Sequence, residues 1–562
     1  MDRKGSKKQS KNRRKRKRPL NRYEIEQAKG NTSTSAKKLK SVDQDGDTDL
    51  TISYRIINFW SIFPVLSEYL SCKTCGTDIE FQETSQRGLG FKLVLKCKKC
   101  EVKYIDSCPL ISHAYEINRR FIFATRLLGI SLQGAERFCA LMDLPRPIFQ
   151  SFYDQVVKQI QTAAKSICDM SLKASVKEEK MKTAEAQDTQ KAQDTRRYSQ
   201  RLKNVQDTTE LTVSGNRNWK NSGLASLYGV SILIGFYTNK VIDIVVKSSF
   251  CEACSIWENR TNTTEYEEWL ESHEDVCTAN HEGSSGRMEV NGIREMFLRS
   301  EDLHGVKYVN YVSDGDSKTY KAIVDSVPYA VTEKECINHI QERMGARLRW
   351  CKKQNMTLGR GTFTGKLIDE LSTFYGLAIR RHQNSVDEMY KAIWATLYHK
   401  SSSDETPKHH YCPEGPESWC TWQKAKAAGQ LSDYKHKTPL SDDVVNAVTP
   451  IYTDLSDKRL LENCIDFTQN NNESFNGLLR KFAPNISGAE VVQIAAYLAV
   501  CIFNGGYTNI LKIMELMGIK IGPTASQYRH REDEHRISSA AKIRAQAMRE
   551  SRFDEKTHEK QD

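Results

Sequence analysis

The spacing of apolar positions changes several times along this chain, and each change marks a different element. Ile52–Leu70 (ISYRIINFWSIFPVLSEYL) carries apolar residues at helical intervals and predicts a helix running into the first cysteine pair. Between 72 and 108 the runs are short, and the alternation in Phe91-Lys92-Leu93-Val94-Leu95 predicts a strand. Residues 115–175 return to helical spacing around a proline-containing turn and predict a helical hairpin. Residues 176–208 are polar and repeat AQDT at 186–189 and 192–195, which fits a solvated helix or a linker.

Strand patterns follow at Leu211–Ser214, Leu227–Phe236, Val241–Lys247 and Val306–Ser313. Helical spacing resumes through about 320–400 and, beyond a loop rich in His, Cys and Pro at 404–422, continues to about 517. From about 523 the chain is polar and is expected to fray. Residues 1–50 have no apolar periodicity and are expected to be disordered.

Charge refines this picture. The net charge is +12, but residues 1–22 alone hold twelve Lys or Arg against one acid, so the remaining 540 residues are close to neutral. The cluster Lys7, Lys8, Arg13, Arg14, Lys15, Arg16, Lys17, Arg18 reads as a nuclear import signal with loose phosphate contact. No apolar run approaches the length needed to span a bilayer, and the basic N-terminus has no apolar segment of a secretory signal. A reducing compartment is therefore expected, where sixteen cysteines read as metal ligands or buried thiols.

Their spacing favours metal. Cys72-x2-Cys75 and Cys97-x2-Cys100 match a zinc ribbon, because each knuckle presents two thiolates on one turn and two turns close a tetrahedron. Cys108 is a spare sulfur that could substitute. Cys251-x2-Cys254 with Cys277-x3-His281 fits a second zinc set, or a free pair beside unrelated residues. His409, His410, Cys412 and Cys420 could form a third site or remain solvated loop residues.

Acidic and amide residues stand where strands end and helices begin. The strand at Val309–Ser313 runs into Asp314-Gly315-Asp316, where a short carboxylate beside a glycine can reach a metal or simply form a turn. Thr468–Asn476 (TQNNNESFN) opens a helix in which Glu473 and Asn476 share a face.

Long ordered segments resemble the Mutator-like transposase domain in its animal form. These include YEINRRFIFATRLLGISLQGAERFCALMDLP at 115–145, SLYGVSILIGFYTNKVIDIVVKSSFCEAC at 226–254, YVSDGDSKTY at 311–320, ECINHIQERMGARLR at 335–349 and TQNNNESFNGLL at 468–479. The likeness covers about residues 55–520. It implies an α/β fold: a ribonuclease-H-like mixed sheet core with a helical insertion, preceded by a zinc-ribbon-like module and a helical hairpin. It also implies DNA as partner, two divalent metals (magnesium or manganese) on three acids, and DNA cleavage with strand transfer. A homo-oligomer is an open case, and no membrane is implied.

Residue by residue, Asp314 matches the second acid and Glu473 the third, with Asp316 beside the former and Asn476 supporting the latter. Cys336 and His339 match the family's CxxH pair and are expected on one helix face, in support of the site or as a buried thiol beside an incidental histidine. The first acid is missing. Asn216-Arg217-Asn218-Trp219 stands where the family reads Asp-Gly-Thr-Trp, with Trp219 and Gly223 keeping their spacing. An amide offers one oxygen and no charge, and Arg217 adds a cation nearby. The family's Trp after the NES motif is also absent, with Arg480 near that position.

The implied organisation is a basic tail (1–50), a zinc-ribbon-like module (51–112), a helical region (113–175) and a polar linker (176–208). The first part of the core with its zinc knuckle (209–320), a helical insertion (321–467), the last part of the core (468–520) and a polar tail (521–562) follow. Three readings stay open: a transposase-derived DNA-binding protein with impaired catalysis, an active transposase in which Asp243 replaces Asn216, and a zinc-bearing interaction module without a nucleic-acid role.

Overall fold

The computed structural model describes residues 38, 48–194, 209–215, 227–258, 261–313, 317–355, 363–383, 385–465, 470–483 and 488–561, with side chains further left out at 189–194, 465, 470 and 543–561. Helix α1 (Phe59–Tyr69) begins at Asn58, whose side chain accepts from the Ser61 N–H. Its Phe63 ring packs 5.2 Å from Phe81 on the hairpin that follows. That hairpin pairs β1 (Ile79–Arg87) with β2 (Gly90–Cys97), and β3 (Lys103–Asp106) joins the far side of β2. A two-strand ladder, β4 (Leu110–Ile111) and β5 (Ala114–Tyr115), leads into α2 (Glu116–Leu127), α3 (Leu132–Leu141) and α4 (Gln150–Asp194).

The stretch expected as a solvated helix or linker is neither through its first half. Helix α4 continues without a break to Asp194, and Val176, Glu179, Thr183 and Ala184 are buried. The buried Glu179 carboxylate accepts from Tyr237 N, Thr238 N and Thr238 Oγ1 at 2.6–2.8 Å. Lys240 reaches the neighbouring Glu178 at 2.6 Å. A charged sequence can thus be packed where its charges meet a turn that presents free N–H groups.

The turn belongs to the main sheet. Strand β6 (Glu210–Gly215) lies antiparallel to β7 (Tyr228–Gly235), which lies antiparallel to β8 (Val241–Ser248). After β8 come α5 (Glu252–Trp257), α6 (Thr264–His273), α7 (Ser285–Leu298) and α8 (Ser300–His304). The chain then returns as β9 (Lys307–Ser313), parallel to β6 on its other side. Helix α9 (Ser317–Val324) follows, and then β10 (Thr332–Cys336), parallel to β9.

Helices α10 (Ile337–Gln354), α11 (Gly365–Arg381), α12 (Val386–Lys400), α13 (Thr421–Ala427), α14 (Asp442–Leu455) and α15 (Lys458–Glu462) build the insertion. Strand β11 (Cys464–Ile465) closes it beside β10, giving the order β11-β10-β9-β6-β7-β8. Helical spacing was expected throughout 320–400; β10 interrupts it, with the short polar sequence Thr-Glu-Lys-Glu-Cys held by its neighbours in the sheet.

All eight residues of β7 are buried, because helices cover both sheet faces. On one face Leu211, Val213, Leu233 and Val245 meet Ile293, Met296 and Phe297 of α7. On the other, Val230, Ile232 and Ile234 meet Ile160 and Ala164 of α4. Helix α17 (Ala489–Gly505) fills that face too; it follows α16 (Asn470–Phe482) and is apolar nearly all round. Each such aliphatic side chain contributes roughly 1.5–3 kcal/mol on burial. The insertion has a separate core around Leu348, Tyr375, Leu397 and Tyr452.

Helices α18 (Thr508–Leu516) and α19 (Pro523–Gln561) end the chain. The start of α19, within the stretch expected to fray, is held against the body. Asp533 accepts from Tyr507 N at 2.9 Å, and Arg536 donates to the carbonyls of Ile502 and Phe503. These carbonyls lie in the last turn of α17, where acceptor capacity remains beyond the helix's own bonds; Ile502 O also accepts from Gly506 N at 2.9 Å.

Candidate functional site

The strands that lead into positions 216 and 314 end side by side. Ser214 lies opposite Val312 in the β6–β9 pair, and the strands end at Gly215 and Ser313. Gly215 is required there: a Cβ on it would lie 2.5 Å from the Tyr311 hydroxyl. Helix α16 arrives at the same place from far along the chain. Asn472 Nδ2 approaches the Gly215 carbonyl at 3.5 Å, and Asn471 donates to Asn239 Oδ1 at 2.7 Å. Glu473 follows in the first turn of α16 and is exposed, with Asn476 three residues on and half-buried.

Asn216, Arg217, Asn218, Trp219, Gly223, Asp314, Gly315 and Asp316 lie outside the described residues, as does the basic cluster from Lys7 to Arg18. What is described is the frame on either side of them. Within that frame, Asn472 is buried and its Oδ1 finds no hydrogen-bond donor among the described residues. Ser313 Oγ donates to Glu333 Oε1 at 2.6 Å. Glu333, on β10 opposite Tyr311, is a carboxylate beside the end of β9 that sequence reasoning passed over. Only the register of β10 reveals it.

Cys336 and His339 do not share a helix face as expected. Cys336 ends β10, has extended backbone as the cap of α10 and is fully buried in the main core. His339 lies in the first turn of α10, and its Nδ1 is buried with no partner among the described residues.

Asp243, the possible substitute for Asn216, sits on β8 with no solvent exposure. It accepts from Arg299 Nη2 at 2.5 Å and from Ile244 N at 2.7 Å. Burial still pushes its carboxyl up to about 6 against the pull of Arg299. Nearby His304 is driven down to about 4 by burial and by Arg299 and Lys173.

Three cysteine-bearing clusters form in the described residues. Cys72, Cys75, Cys97 and Cys100 bring their sulfurs within 4.8 Å of one another. The first knuckle closes through Gly76 N to Cys72 O at 2.8 Å with Gly76 left-handed, and Cys97 ends β2 opposite Ile79. The Thr77 hydroxyl, 3.2 Å from Cys97, holds that thiol down to about 6, whereas Cys75 and Cys72 push Cys100 up to about 12. Four thiols so placed cannot all ionise beside one another, and a dication removes that conflict. The spare Cys108 is buried elsewhere and takes no part.

In the second cluster the histidine differs from the expected one. Cys251, Cys254 and Cys277 gather with His273, whose Nε2 is 3.3 Å from both Cys251 and Cys254. His281 instead directs Nε2 to the Ser284 carbonyl at 3.2 Å. His273 ends α6 one turn after Trp269, which stacks on it at 4.4 Å. That helical register, rather than distance from Cys277, selects the ligand. Burial resists ionisation of Cys251, but the Cys254 N–H and the Thr278 hydroxyl hold its thiol at about 5.

In the third, His409, Cys412 and Cys420 come together with His399, while His410 is exposed against Tyr398.

A family model for the Mutator-like transposase matches residues 53–420. The chain belongs to the Mutator-like transposase family. No curated protein matches the chain. The Mutator-like transposase match takes in the four-cysteine module, the strands β6–β10, the second cluster and the third cluster as far as Cys420. It stops short of α16, so Glu473 stands outside it. Among the described residues no helix is long and apolar enough to cross a membrane.

Proposed function

We propose that this chain is a transposase-derived nuclear DNA-binding protein of the Mutator-like class in which DNA cleavage and strand transfer are impaired. The observation that carries the proposal is the convergence of Gly215, Ser313 and Asn472, which flank positions 216, 314 and 473. At the first of these positions the sequence has Asn216 in place of an acid. Three antiparallel strands continued by parallel ones agree with a ribonuclease-H-like core.

Two divalent cations, when bound in such a site, activate a water or a DNA 3′-hydroxyl and stabilise the leaving oxygen. The donors of this chain do not fit that role in full. Asp314 and Glu473 supply two carboxylates, and Asn216 supplies a neutral oxygen. Asp243 is a poor substitute, since its carboxylate is committed to Arg299 two strands away from β6. Zinc suits the thiolate-rich clusters as a structural ion, with four protein ligands and no open position.

The decisive comparison is Asn216→Asp against the parent on a supercoiled plasmid with magnesium or manganese. Nicking by the variant alone is the expected result, and nicking by the parent overturns the impaired-site reading. DNA affinity across a salt series, with and without residues 1–22, tests the rest. Binding that disappears with the tail favours the interaction-module reading, which draws on the near-neutral charge of the other 540 residues.

A further inference from the structure

The insertion contains a long segment that its own apolar contacts do not explain. Residues 401–420, between α12 and α13, form no helix or strand. Loops of this length inside a folded unit need something to fix them. The buried apolar cluster beneath this one is small: Ala395, Cys412 and Cys420, with Tyr411 and Trp422 partly buried against it. Yet His409, Cys412 and Cys420 are at most 4% exposed. The segment is anchored through polar groups.

Those groups are arranged about a point. His399 Nδ1 lies 3.9 Å from Cys412 Sγ and 3.5 Å from Cys420 Sγ. His409 Nδ1 lies 3.7 Å and 3.4 Å from the same sulfurs. A tetrahedral zinc with bonds of about 2.3 Å to sulfur and about 2.0–2.1 Å to nitrogen separates S and N ligands by roughly 3.5 Å. All four contacts bracket that edge, and the four ligand atoms lie within 4.8 Å of one another.

The surroundings fix one tautomer. If His409 binds through Nδ1, its Nε2 must carry the proton. That nitrogen is 2.9 Å from both Ser402 Oγ and His436 Nε2. His436 in turn places Nδ1 2.7 Å from Asp404 Oδ1. With His436 protonated on Nδ1 and His409 on Nε2, the line Asp404–His436–His409 is satisfied, and the His409 Nδ1 lone pair is left facing the two sulfurs. Such a carboxylate–imidazole support orients metal-binding histidines. Trp422 stacks on the His409 ring at 4.8 Å and restricts its rotation.

We infer that His399, His409, Cys412 and Cys420 form a structural zinc site that pins the 401–420 segment and α13 to the end of α12. The ion replaces the apolar core that this segment lacks, as in other small metal-held units. Four protein ligands leave no open position, so the site is structural rather than hydrolytic.

Zinc per chain, measured by plasma mass spectrometry on the full-length protein, tests this. C412S/C420S should contain one zinc fewer than the parent, and H410A should lose none. Equal zinc in the parent and the double variant overturns the proposal, as does a Cys412–Cys420 disulfide in the non-reduced peptide map. A misfolded variant would also shed metal, so the parent supplies a second readout. Zinc K-edge absorption should report three zinc ions with nine sulfur and three nitrogen ligands, the sum of the three clusters. Two zinc ions with seven sulfurs and one nitrogen would refute the third site.

Discussion

Arg299→Ala tests how the sheet tolerates a charge in its interior. Asp243 has no solvent exposure; Arg299 and the Ile244 N–H donate to its carboxylate, and His304 Nε2 lies 3.9 Å from its Oδ2, where burial keeps that imidazole from charging. Arg299 donates through Nη2 at 2.5 Å and through Nε at 3.4 Å, and Ile244 N donates at 2.7 Å. Removing the guanidinium leaves a buried carboxylate on a single N–H, a class of change that costs about 3–5 kcal/mol.

The pH dependence follows from the same contacts. Burial raises the Asp243 carboxyl from 3.8 to about 6 even with Arg299 present. Between those values the folded chain holds a proton that the unfolded chain has released, so this group's contribution to stability falls as pH rises through that window. In the variant the attraction is gone, the folded carboxyl titrates higher, and the decline continues above pH 6 by up to about 1.4 kcal/mol per pH unit. The gap between parent and variant should therefore be small near pH 5 and large near pH 8. The assay is urea unfolding read by pulsed hydrogen exchange on peptides covering β7 and β8, which reports this sheet rather than the insertion. The double variant D243N/R299A should lose most of the pH dependence. A gap under about 1 kcal/mol at pH 8, or one of constant size, refutes the reasoning.

Further outcomes are expected elsewhere. His273→Ala should lose one zinc per chain while His281→Ala loses none, measured on full-length protein. Glu179→Ala should destabilise the sheet by roughly 3 kcal/mol, because three donors at the β7–β8 turn lose a charged acceptor; local hydrogen exchange at residues 236–240 reads this, and unchanged protection would count against the latch. Replacing the basic residues from Lys7 to Arg18 with Ala should abolish nuclear accumulation of a fluorescent fusion and reduce, without abolishing, the salt dependence of DNA binding.

Much of the fold was legible in the apolar pattern. Val230, Ile232 and Ile234 are spaced for one sheet face, and the unbroken apolar run of β7 announces a strand covered on both sides. The two CxxC knuckles at 72–75 and 97–100 fixed a four-sulfur cluster, since each pair is local and a β-hairpin joins them. The family likeness was legible too, in motifs long enough to stand without the structure.

Other features were not legible, for a common reason. His273 and His399 became cluster members because helices α6 and α12 end where they do, and not through distance from the nearest cysteine. Glu179 looked solvated, since a sequence of Lys and Glu does not reveal that a turn 58 residues later offers its N–H groups. Arg536 looked like part of a frayed tail until α17 ended beside it.

By itself the sequence determined most of the elements, the four-cysteine module and the family likeness, because these depend on spacing within short windows. Tertiary structure alone decided which strand ends meet, that Asn472 reaches Gly215 from 257 residues away, and which histidines face sulfur. Those choices are set by burial and by unpaired hydrogen-bonding groups on remote elements, and no local pattern encodes them.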